Sequence, residues 1–300
     1  MLEPDKRLLS GGGIVISDIL DKSETIPAAP GLVGRILALT AEPDFSMEQL
    51  VRLIRMDPAL TAYVLRMCNS PYYGLRYKVA SLDHAIAVLG VNALVDVVLS
   101  SGLLKVFNNS TAQDGYMLAK GQLWRHSVAT ALIAQKLAGN LKIKGINPSV
   151  TFTAALLHDT GKLALNQFVS QSLYDIESLI YEHHCTPVEA EKIVLGIDHA
   201  NLGGLIMEKW AFPEEIVISV IYHHDPLLSP AYPDLVKLVA LSNMLAVSAE
   251  YGKEQSLNLT PLTIAQLMGD MNMNPEDEDN LILEVINWLK PATDMLSMFN

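Results

Sequence analysis

The sequence has 300 residues, with 21 basic and 33 acidic side chains and a formal net charge of −12. Half of it is apolar and only 18% is charged, which excludes an intrinsically disordered chain and suits two domains or one large two-lobed one. The acidic balance, with no basic run longer than Lys6-Arg7, argues against nucleic acid and anionic membrane surfaces as partners.

Glu3, Asp5, Lys6 and Arg7 open the chain with no apolar stretch behind them, so no secretory leader is expected. No uncharged apolar run reaches the ~18 residues of a membrane span; the run from Val91 to Leu104 is interrupted by Asp96. Cys68 and Cys185 are far apart and read as reduced thiols. Together these features predict a soluble cytoplasmic protein.

Along the chain the apolar pattern is helical. Gly11 to Ile16 reads as a short strand or a lead-in. Leu32, Val33, Ile36, Leu37 and Leu39 recur at helical spacing. Ser46-Met47-Glu48-Gln49 has the form of a capping box, and Asp57-Pro58 supplies an acidic N-cap followed by proline at the first helical position. The helix from Pro58 is expected to run to Cys68 and stop at Asn69-Ser70-Pro71, with Asn69 suited to a left-handed cap. Downstream, Thr186-Pro187-Val188-Glu189 forms another capping box. Pro213-Glu214-Glu215 and Pro275-Glu276-Asp277 place proline and acids in first turns. The fold class is all-α, a two-lobed helical bundle. Its expected parts are a lead-in over 1–23, an N-terminal lobe over 24–110, a histidine-bearing lobe over 116–250 and a helical extension over 251–300. The polar stretch from Asn108 to Gly115 marks the boundary between the lobes.

Seven of the eight histidines fall between positions 126 and 224. His126, His158 (followed by Asp159), His199 and the pair His223-His224 each sit in or beside an apolar helical stretch. Imidazoles on helices, joined by one carboxylate, can converge in a bundle interior as a nitrogen–oxygen metal site. Taken singly, each has the ordinary reading of a histidine with its own hydrogen-bond partner. His183, His184, His84 and Asp225 read as helix-end or solvated residues, and most of the twelve methionines as core filler.

Several short phrases carry a resemblance. Ile26-Pro27-Ala28-Ala29-Pro30, Asp57-Pro58-Ala59-Leu60, Asn69-Ser70-Pro71-Tyr72-Tyr73-Gly74 and Ser81 to Gly90 precede His158-Asp159-Thr160-Gly161-Lys162. Then come Asp198-His199-Ala200, Trp210 to Ile216, and His223-His224-Asp225-Pro226. In this order, over about residues 24–250, the chain resembles the HDOD family, the HD-related output domain of bacterial signalling, within the HD phosphohydrolase superfamily.

The resemblance implies an HD-type C-terminal lobe in which His126, His158, Asp159, His199, His223 and His224 are metal ligands. It also implies that Lys162 faces a substrate phosphate and that Asp159 and Lys162 are catalytic if the site is an enzyme. Two positions depart from the hydrolytic pattern: Gln122 stands where a glutamate is expected, and Asn243 (or Ser242) where a late aspartate ligand is expected. Gly-Tyr-Pro is represented only by Ala231-Tyr232-Pro233.

Five neutral imidazoles and one carboxylate suit a single borderline transition metal such as iron, nickel, zinc or manganese. A second ion would need a bridging hydroxide or phosphate. Two functions follow. One is a signalling output module that contacts a protein partner, with the cluster as a structural or sensing metal site. The other is a metal-dependent phosphohydrolase acting on a nucleotide or cyclic dinucleotide. The helical pattern fills nearly the whole chain, so input is expected to arrive by binding, of a partner or of a nucleotide or phosphate ligand, or through expression.

Overall fold

The computed structural model describes residues 46–69, 74–90, 122–168, 172–249, 251 and 262–290. The expected helix from Gly31, the Gly11–Ile16 segment and the boundary at Asn108–Gly115 lie outside them. Every regular element among the described residues is helical, as the patterning predicts. In chain order these are α1 (Met47–Arg55), α2 (Pro58–Cys68), α3 (residues 82–90), α4 (Gln122–Leu141), α5 (Pro148–Leu157) and α6 (Thr160–Phe168). They continue with α7 (Leu173–His183), α8 (Pro187–Leu195), α9 (His199–Lys209), α10 (Glu214–Tyr222), α11 (Pro233–Ser248), α12 (Ile264–Asp270) and α13 (Glu278–Leu289).

The local signals explain most of the boundaries. Asp57 caps α2 by accepting the Leu60 N–H at 2.7 Å, with Pro58 in the first turn. Thr186 and Glu189 exchange both hydrogen bonds of a capping box at the start of α8, and Gly196 ends that helix in the left-handed region at φ 74°. Two expectations are corrected. Asn69 closes α2 at φ −82°, not left-handed, because its side chain is engaged elsewhere: its amide donates to the Val79 carbonyl and its oxygen accepts the Val79 N–H. Pro275–Asp277 forms a 3₁₀ turn capped by Asn274, and α13 begins only after it.

Helix α4 is buried on two stripes. Leu123, Val128, Ala131 and Ala134 face one apolar core, while Ala129, Ile133 and Leu137 face another. Helix α11 repeats the division, with Leu235 and Val239 in the first core and Leu238, Leu241 and Leu245 in the second. The two helices pack against each other and form the wall between the cores. The second core is closed by Ile264, Leu267 and Met268 of α12 and by Leu281, Val285 and Leu289 of α13.

In the first core, Leu50, Ile54, Leu60 and Leu65 of α1 and α2 join Phe152, Leu156 and Phe212. Burying each such side chain contributes about 1.5–3 kcal/mol. The contact is reinforced by the Arg55 guanidinium 4.6 Å from the Phe152 ring centroid and by Arg66 5.4 Å from that of Trp210. On this framework α5 packs on α4, α10 and α11, while α9 packs on α6 and α10. The ends of α5 and α10 and the start of α9 thereby meet beside α4. Among the described residues no helix is long and apolar enough to cross a membrane.

Candidate metal centre

His158 and His223 occupy equivalent positions, each capping the C-terminus of its helix, α5 and α10. Each ring turns back so that Nδ1 meets the carbonyl three residues earlier, Ala155 and Val220, at 2.7 Å in both cases. His126, on α4, places Nδ1 2.8 Å from the Tyr251 carbonyl. A carbonyl only accepts, so all three Nδ1 atoms carry a hydrogen, and in the neutral form of each ring Nε2 is the atom that presents a lone pair. Those Nε2 atoms are buried and have no hydrogen-bond partner, as are Oδ1 of Asp159 and Nδ1 of His224.

The lone pairs converge on Asp159, in the turn between α5 and α6. Its Oδ2 lies 3.8 Å from His126 Nε2 and 3.4 Å from His158 Nε2. Its Oδ1 lies 3.3 Å from His199 Nε2 and 3.6 Å from His223 Nε2. His224 closes the second side, its Nε2 2.9 Å from that of His199. The carboxylate therefore stands between two groups that each have metal-ligand spacing, His126–His158–Asp159 and Asp159–His199–His223–His224. Orphaned acceptors on buried imidazoles, facing a carboxylate instead of a donor, are the arrangement a divalent cation satisfies. The donor set fits a transition metal.

Every member of the cluster is at most 5% exposed. Burial pushes His126 and His223 down to about 4 and holds His224 well below the ordinary histidine value, so these rings stay neutral and able to ligate. Burial would raise the Asp159 carboxyl, but His158 and the Lys162 ammonium outweigh it and hold the group well below the usual carboxylate range. Lys162 is itself buried, and its Nζ donates to Asp159 Oδ2 at 2.8 Å.

One participant had no sequence signal. Glu191 of α8, fully buried, accepts the His199 backbone N–H at 2.5 Å and the His199 ring Nδ1–H at 2.8 Å. Burial lowers the affinity of His199 for a proton, but the Glu191 charge overrides it and raises this ring to about 9. Asp198 fixes the same helix start from outside, accepting the Asn201 N–H at 2.7 Å and lying 3.0 Å from the Lys192 ammonium. Asn243 is buried on α11, the helix packed against α4 and α5. His183 ends α7, His184 caps it in the left-handed region, and Asp225 precedes the 3₁₀ turn Pro226–Leu228.

Known proteins share this architecture. The MmoQ response regulator of Methylococcus capsulatus str. Bath superposes with a TM-score of 0.65 at 23% identity, covering 86% of this chain and 98% of that one. An HDOD domain protein of unknown function from Geobacter sulfurreducens gives 0.53 at 24% identity, covering 94% and 96%. At these identities the likeness establishes the fold.

In sequence, an uncharacterized protein of Treponema pallidum (strain Nichols) is 24% identical over 76% of this chain and 43% of its own length. Ribonuclease Y of Petrotoga mobilis (strain DSM 10674 / SJ95) is 28% identical over 58% of this chain and 26% of its own. The chain thus spans less than half the length of either relative. The HDOD domain pattern matches residues 26–226, which include the described α1 and α2 as well as the turn that carries His158 and Asp159. With that match running through well over half of the sequence, this chain belongs to the HDOD domain family.

Proposed function

We propose that the chain is a cytoplasmic bacterial signal-transduction output module whose His–Asp cluster holds a transition metal as a structural or sensing element, not as an efficient hydrolytic centre. The supporting observation is the burial of the whole cluster, at most 5% exposed at any member, around a single coordinating carboxylate. His126, His158, Asp159, His199, His223 and His224 would hold the ion, with Asn243 as a further oxygen donor. Iron, nickel, zinc and manganese all suit imidazole-rich ligation. A metal here would supply Lewis acidity and could lower the pKa of a bound water. Hydrolysis also needs groups that orient the water, and Gln122 and Asn243 bring amides where carboxylates would do so. Output then passes through a protein partner, with a nucleotide or phosphate as the possible ligand.

The retained His158-Asp159 pair with Lys162 favours a second reading, a phosphohydrolase acting on a nucleotide or cyclic dinucleotide. The relative named Ribonuclease Y gives that reading some support. Elemental analysis of protein purified without chelator or added metal tests the metal reading: about one transition metal per chain is expected, and none would overturn it. Turnover of phosphodiesters that disappears in Asp159→Ala would favour the enzyme.

A further inference from the structure

The chain runs from the buried pair His223-His224 straight out to the surface. Asp225 opens the 3₁₀ turn Pro226–Leu228, which points two adjacent leucines at solvent: Leu227 is 51% exposed and Leu228 72%. Tyr232, four residues on, is 39% exposed. The segment is held in place. Pro226 is buried, the turn packs on α11, and the Leu228 N–H donates to the Asp225 carbonyl at 3.0 Å. Ser229 Oγ donates to the Ala231 carbonyl at 2.6 Å, and the Tyr232 hydroxyl donates to Glu214 Oε2 at 3.1 Å. Apolar residues scattered singly on a surface need no explanation. Two neighbouring leucines fixed outward on a hydrogen-bonded turn are preorganised, and lose little freedom on meeting a partner.

The rim carries one sign of charge. Asp225 and Asp234 bracket the segment, Glu214 is tied to it through Tyr232, and all three acids are exposed. No Lys or Arg lies between Lys209 and Lys237. Such a rim repels anionic lipid and acidic chains and complements a basic one. We propose that this turn is the docking surface for a partner protein segment combining aliphatic side chains with Lys or Arg. The leucines make the apolar contact and the three carboxylates meet the cations. The inference rests on the output-module reading above and names the surface and chemistry of its partner contact, placed on the backbone that carries His223 and His224.

Fluorescence anisotropy with a fluorescein-labelled amphipathic peptide of leucine and lysine tests it on the full chain, against a leucine–glutamate counterpart. The wild type should bind the lysine peptide and not the glutamate one. Leu227→Ser with Leu228→Ser should weaken binding roughly tenfold or more, as for loss of an interface anchor. Glu214→Gln with Asp234→Asn should weaken it too and flatten its salt dependence. Leu283→Ser, which removes a 60% exposed leucine on α13, should leave it unchanged. Thermal unfolding verifies that each variant is folded. Equal binding by the double-serine variant, an equal loss in Leu283→Ser, or no binding by the wild type would overturn the docking surface. So would cosedimentation with phosphatidylcholine vesicles that depends on the two leucines, which would make the turn a lipid contact. Metal content of the same samples bears on the cluster separately. Binding at the turn without metal would overturn the metal reading alone, and metal without binding would overturn the docking surface alone.

Discussion

Glu191 takes two hydrogens from a single residue: its carboxylate accepts both the backbone N–H and the ring Nδ1–H of His199. This fixes the ring's rotation and leaves Nε2 aimed at Asp159 Oδ1, 3.3 Å away. Carboxylates that hold a ligand histidine from behind raise its basicity as well as orienting it. Glu191→Gln keeps one acceptor and removes the charge, so metal retention should fall roughly 10- to 100-fold. Competition with a coloured chelator measures this directly. Unchanged retention would mean that Glu191 serves only to cap α9.

Gly161 matters for a steric reason. A Cβ at this position would collide with the His199 carbonyl oxygen and lie 2.9 Å from the Gly203 nitrogen. These are backbone atoms and cannot rotate away, so Gly161→Ala must push α6 from α9 and draw Asp159 off His199. Overpacking of this kind costs about 1–3 kcal/mol. Both the denaturation midpoint and the metal content should drop. A variant that matches the wild type in both would show that the two helices slide apart without disturbing the cluster.

The metal-free protein should have a stability maximum in pH. Burial lowers His126 and His223 to about 4, below the 6.5 of an unconstrained histidine. As pH falls below 6.5 the unfolded chain therefore takes up protons that these native rings refuse, and stability declines toward pH 4. His199 behaves oppositely: burial opposes its proton, but Glu191 prevails and raises it to about 9. Its stabilisation is complete below 6.5 and is lost as pH rises through about 9. Urea melts of chelator-treated protein should show the maximum near neutrality. A steady rise to pH 9 would contradict a charged Glu191–His199 pair.

Asn243 stands where the hydrolytic relatives are expected to keep an aspartate, and it is buried on the helix that packs beside His126 and His158. Asn243→Asp adds a charge that only a cation would offset at this depth. It should therefore tighten metal retention and destabilise the metal-free protein by several kcal/mol. Destabilisation without tighter binding would place Asn243 outside the coordination sphere.

What the sequence makes legible here is mostly local. Asp57-Pro58 and Thr186-Pro187-Val188-Glu189 start helices as read, because cap and partner lie three residues apart. The histidines were readable as a group because the family pattern preserves their order. Glu191 was not, since its role depends on the turn through Gly196, Ile197 and Asp198 folding α8 back on the start of α9. Nothing in the neighbourhood of Glu191 marks it as more than another helix-surface acid. The same limit applies to Asn69, whose partner lies ten residues further along the chain.

That partner gives a prediction independent of any metal. The Asn69 amide donates to the Val79 carbonyl at 2.9 Å, while its oxygen accepts the Val79 N–H at 2.7 Å. One side chain thus satisfies both backbone groups of a fully buried residue and holds residues 74–80 against α2. Leaving a buried backbone group unpaired costs about 1–3 kcal/mol, so Asn69→Ala should lower stability by at least about 2 kcal/mol. Asn69→Asp should be no better, because its carboxylate can accept the Val79 N–H but must then face the Val79 carbonyl without a donor. Metal content should stay at the wild-type level in both, since α1 and α2 contribute no ligand. A loss of metal in Asn69→Ala, measured under folding conditions, would show that this clamp and the His–Asp cluster are coupled through the shared core.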